Sequence, residues 1–89
     1  MAIGVSHDLD TGNVVLVDAA AKTIYDLSPS KAHQLASQLR AAAASGASVL
    51  VIATANDGRQ VRLGGTAEHA IGVVDDLDRH AELAMAVRR

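Results

Sequence analysis

Cysteine, phenylalanine and tryptophan are absent from this 89-residue chain, and Tyr25 is its only aromatic residue. Zero cysteines exclude a disulfide framework and fit a reducing compartment, so a cytoplasmic setting is expected. Large rings usually dominate core and interface energetics. Without them, Val, Leu, Ile and many Ala must fill the interior. A domain this size buries only about 60–65% of the surface its unfolded chain exposes. Lacking rings, disulfides and an evident metal set, it lacks the usual staples of small domains. Association between copies is the natural remedy.

Long apolar runs are also missing. None approaches the roughly 18 residues of a membrane span, and "MAIGVSHDLD" has neither a basic n-region nor an apolar h-region. The chain is expected to be soluble and unprocessed, with no membrane partner. Neither sign of charge dominates: eight Lys and Arg stand against ten Asp and Glu, a formal net charge of -2. With no basic run longer than Arg88 and Arg89, this balance argues against broad nucleic-acid binding.

What is present is an apolar half, 49% of the residues, arranged in legible periods. Residues 3 to 9 and 14 to 18 flank "DTGN", whose turn residues close a hairpin between β-favouring runs. "TIYDL" supplies a third strand, with Ile24 and Asp26 on one face and Thr23, Tyr25 and Leu27 on the other. The phrase "LSPSKAHQLASQLRAAAASG" predicts a helix over 29–45: Ser28 caps it, Pro29 takes the first helical position, and Gly46 provides a left-handed end. Its buried stripe is Ala32, Leu35, Ala36, Leu39 and Ala43.

The continuous β-branched run "SVLVIATA" predicts a strand covered on both sides, followed by an Asp57-Gly58 hairpin into "QVRL". Residues 67 to 88 read as a second helix with Thr66 as cap and Gly72 as its weak point. The order is βββαββα: one α+β domain over residues 1–89, a mostly antiparallel sheet packed by two helices.

"HDLDTGNVVLVD" followed by "LSPSKAHQLASQLRAAA" resembles small uncharacterised proteins of high-GC actinobacteria and their phages, over about half of the chain. The resemblance implies a source and a class, with no activity, ligand or functional residue.

Candidate chemistry is sparse. "VRLGGTAEHAIG" has the outline of a phosphate cradle, and Gly64, Gly65 and Thr66 are its anion-binding candidates. It lacks the lysine and spacing of a P-loop, and Glu68 sets a negative charge where an anion would sit. A plain strand-to-helix connection is preferred. His7, Asp8 and Asp10 fail position by position as a calcium loop and read as turn residues. His69, Asp76 and His80 share one side of the second helix but supply too few ligands for zinc. Neither a metal nor a cofactor is expected. No serine elbow, cysteine or clustered histidine suggests nucleophilic catalysis, so the chain reads as a non-enzyme. Asp75 and Arg79 form an i, i+4 pair on a solvated acidic face.

The second helix carries more apolar surface than one contact needs. Ala70, Val74, Leu77, Ala81 and Ala84 make the core stripe, with Ile71 and Met85 at its edge. An outer row of Val73, Leu83 and Val87 with His80 between them reads as a dimer interface. The leading expectation is a homodimeric protein-interaction module that binds another protein, whose identity the sequence does not disclose. The alternatives are a DNA-binding regulator or antitoxin-like module using Arg59 and Arg62, and a small anion-binding domain using the Gly64 to Thr66 turn.

Overall fold

The computed structural model describes residues 3–88, with side chains from Ile3 to Ala86. Its elements follow the expected order: β1 (Ile3–His7), β2 (Val14–Asp18), β3 (Thr23–Leu27), α1 (Pro29–Ser45), β4 (Ser48–Thr54), β5 (Gln60–Thr66) and α2 (Ala67–Arg88). All pairings are antiparallel. β1, β2 and β3 form a three-stranded meander, and β4 and β5 form a separate two-stranded ribbon.

Local chemistry explains the boundaries. Strand β1 stops at His7 because Asp8 begins a turn: its backbone N–H donates to the Asn13 carbonyl, and its carboxylate accepts from the Asp10 N–H. Gly12 takes a left-handed φ of 70° there, which only glycine adopts without cost. The Ser28 hydroxyl accepts from the Lys31 N–H at 3.2 Å, with Pro29 in the first turn, so α1 starts at its cap. Gly46 does not end this helix in the left-handed form expected of it; its backbone is fully extended, φ -179° and ψ -178°, and leads straight toward β4. Thr66 caps α2 by accepting from the His69 N–H at 3.2 Å. Gly72 neither breaks nor restarts α2, which continues past it to Arg88.

One apolar cluster joins both sheets to both helices. Val14 and Leu16 of the meander, Leu35 and Leu39 of α1, Val61 and Leu63 of the ribbon, and Leu77 of α2 are all buried in it. At roughly 25 cal/mol per Å² of apolar area removed from water, each such leucine or valine contributes about 1.5–3 kcal/mol. Alanines at the helix contacts (Ala32, Ala36, Ala70, Ala81, Ala84) are equally buried, and their small side chains allow α1 and α2 to approach closely. The core is therefore built from aliphatic residues alone, and Tyr25 only packs at its margin.

The β4–β5 ribbon departs from expectation. Val49 and Val51 of β4, with Val61 and Leu63 of β5, turn inward to the helices, while Leu50, Ile52, Arg62 and Gly64 turn outward. The helices cover one face only, so the apolar run of β4 is buried by alternate residues rather than on both sides. The Asp57-Gly58 turn forms as expected, with Gly58 at φ 90° and its N–H donating to the Ala55 carbonyl. Asn56 ties this turn to the rest of the fold: its N–H donates to the Asp26 carbonyl, and its side-chain oxygen accepts from the Ser28 N–H.

Candidate functional site

Two exposed large apolar residues share the outward face of the ribbon. Register places Leu50 opposite Gly64 and Ile52 opposite Arg62, and Leu50 is 64% exposed and Ile52 50%. A Cβ on Gly64 would stand 3.6 Å from the end of the Leu50 side chain, an ordinary contact distance, so Leu50 lies beside Gly64 on the outward face. Arg62 has no ion pair among the described residues, in contrast to Arg59. That second arginine is fully engaged: it pairs with Asp57, donates to the Ile24 carbonyl at 2.7 Å and stacks over Tyr25 at 4.9 Å. The Arg59 backbone N–H, helped by the side-chain pairing, holds the Asp57 carboxyl below its ordinary pKa against the opposing effect of desolvation.

Helix α2 is gripped on two sides. Placed at about 100° per residue, its exposed arc runs from Ile71 through Asp75 and Arg79 to Leu83, about 120° wide. On one flank it meets α1, and on the other β1 and β2. This decides the fate of the row expected to form a dimer interface. Val73 is buried at 8% exposure, and His80 faces His7 of β1, so both have intramolecular partners. Leu83 is exposed at 45%, and the Val87 side chain lies outside the described residues.

His7 and His80 meet through their Nδ1 atoms at 2.9 Å, with ring centroids 5.1 Å apart. One Nδ1 must carry the proton that the other accepts, so a pair with both rings charged loses the bond. Burial lowers the His80 pKa below its ordinary value, and the His7 and Arg79 charges act in the same direction against the smaller opposing effect of Asp76. Asp76 itself pairs with Arg79 at 2.7 Å, so the expected Asp75–Arg79 pair does not form and Asp75 has no ion pair among the described residues. His69 is exposed near the helix start, away from His80. Among the described residues, no three His, Asp or Glu side chains come together in a metal-binding arrangement.

The other flank carries a polar clasp. His33 Nδ1 lies 3.0 Å from Asp78 and its Nε2 3.5 Å from Glu82, while Arg40 donates to Asp78 at 2.9 Å. Burial acts to raise the Asp78 pKa, but the hydrogen bonds and charges of His33 and Arg40 outweigh it and hold the carboxyl below its ordinary value. The clasp borders an open groove lined by Ser28, Ser30, His33, Gln34, Ser37 and Met85, among others. His33 places its Nδ1 beside the Asp78 carboxylate and its Nε2 beside that of Glu82, so both ring nitrogens face α2.

The anion candidates have a different setting. Gly64 and Gly65 belong to the β5 ladder opposite Leu50 and Val49, so the glycine loop that a phosphate cradle needs is not formed there. Thr66 spends its hydroxyl on the cap, and Glu68 stands in the first turn of α2.

Sequence reasoning passed over His33, Arg40 and the exposure of Leu50 and Ile52. A signal for the first two existed: seven residues apart, they flank the α1 stripe as Asp78 and Glu82 flank that of α2, a complementary edge pattern. The His7–His80 contact spans 73 residues and had no local signal. Compared with known proteins, the chain matches no family model, no curated protein and no solved structure.

Proposed function

We propose that this protein is a non-enzymatic interaction module that self-associates through the outward face of the β4–β5 ribbon. The observation that carries this reading is the pair Leu50 and Ile52, exposed on the same face of β4 with Gly64 and Arg62 opposite them in register. Apolar side chains contiguous on a sheet face mark contact surfaces more often than isolated ones do. The ribbon also has only two strands and one covered face, a form that gains from further packing.

The same surface favours protein over nucleic acid. Arg59, which a phosphate contact would recruit, is already held by Asp57, the Ile24 carbonyl and Tyr25. A cytoplasmic setting accompanies this reading, since no helix among the described residues is long and apolar enough to cross a membrane and the chain has no cysteine.

Light scattering on the purified chain tests it. The parent is expected to be a dimer at ~100 μM, and Leu50→Glu with Ile52→Glu should yield a monomer with unchanged circular dichroism, because both residues are already solvent-facing in the single chain. A double variant that scatters like the parent contradicts the reading. Leu83→Glu serves as a control and is expected to leave the mass unchanged.

A further inference from the structure

We infer that the ribbon's counterface is the N-terminal half of α2 on a second copy of this chain, with Leu50 and Ile52 of one protomer covering Ile71 and Gly72 of the other, and Arg62 facing Asp75. The inference rests on the ribbon being a self-association surface and names the other half of that contact.

Charge is the first reason. Arg62 is the only charged residue on the outward ribbon face, and it has no ion pair among the described residues. On α2, Glu68 and Asp75 flank Ile71 at i-3 and i+4, and neither has an ion pair among the described residues, since Arg79 is taken by Asp76. Ile71 is 53% exposed. One apolar face carries a positive charge and the other is bordered by negative charges, the complementarity that sets orientation between partners.

Gly72 is the second reason. A glycine inside a helix weakens it, and here nothing within the chain requires one: an added Cβ would meet no atom within 4 Å. Its neighbour Ile71 is also turned to solvent, so the helix shows a shallow notch beside an apolar side chain. A surface laid against that notch approaches the α2 backbone more closely than it could across any side chain.

Sedimentation velocity over ~20–500 μM, with thermal melts at a concentration where the parent is monomeric, tests the inference. Gly72→Ala is expected to raise the melting temperature of the monomer while weakening association about tenfold, two effects of opposite sign that a purely intramolecular role cannot produce. Arg62→Glu should weaken association to a similar degree, and adding Asp75→Arg to it should restore the parent's affinity. If Leu50→Glu breaks the dimer while Gly72→Ala and the charge exchange leave affinity unchanged, the counterface is elsewhere and the inference is overturned, although the ribbon reading stands. A parent that remains monomeric throughout, or a Leu50→Glu variant with parental affinity, overturns the ribbon reading and the inference together.

Discussion

At the scale of single residues, the histidines carry the most physical content. His80 is held neutral more strongly in the fold than in the open chain, because burial and the His7 and Arg79 charges lower its pKa from an ordinary value of 6.5. A base with a depressed folded pKa disfavours the fold when it is protonated. Its contribution is intact above about pH 6.5 and is lost as pH falls from there through the lower folded value. Urea unfolding at pH 7.5 and pH 5 should therefore show a fall in stability in the parent that is smaller in His80→Gln. An equal fall in both would contradict the pairing of His80 with His7. Asp78 works in a separate window. Its folded pKa lies below the ordinary 3.8, so its stabilising effect is present above about pH 4 and disappears as pH drops further. The Asp78 side chain is about one-third exposed, at 35%, so solvent screening limits Asp78→Asn to about 0.5–1 kcal/mol at neutral pH.

At the scale of elements, the two helices are the parts whose limits were most legible, because capping is local. Ser28, Pro29 and the apolar stripe specify 29–45 with no knowledge of the rest, and Thr66 does the same for the start of α2. Removing either cap hydroxyl leaves an N–H of the first turn without its partner. Ser28→Ala and Thr66→Ala should each cost about 1 kcal/mol in chemical denaturation, the second without any change in response to added phosphate. Phosphate that raised the parent's melting temperature but not that of Thr66→Ala would return the glycine turn to consideration as an anion site. Gly72→Ala should move stability the other way, by about 0.5–1 kcal/mol, since no atom obstructs the new methyl group. The burial of strand β4 was misread because a continuous β-branched run looks the same whether both faces are covered or one. Only the placement of α1 and α2 on a common side of the ribbon separates the two cases, and no local pattern encodes that placement.

At the scale of the whole molecule, the same limit explains the site. The α2 outer row looked unpartnered because a stripe on a helical wheel shows that a face is apolar without showing how many neighbours the helix has. α2 is flanked by α1 through Asp78 and Glu82 and by β1 through His80; Val73 is buried, while Leu83 and Ile71 stay exposed, as do Leu50 and Ile52 on the ribbon. Total composition did point correctly to an aliphatic core; contacts with a second copy are a proposal. Where those contacts lie depends on which faces remain open after the chain has folded. The most direct measurement is a series of amide nitrogen–proton NMR spectra from ~20 μM to ~1 mM, a range spanning the affinity expected of a small interface. Self-association through the ribbon predicts concentration-dependent shifts confined to residues 48–54 and 60–66 and the N-terminal half of α2. Shifts centred on His80 and Leu83 instead, or none over the whole range, would contradict it.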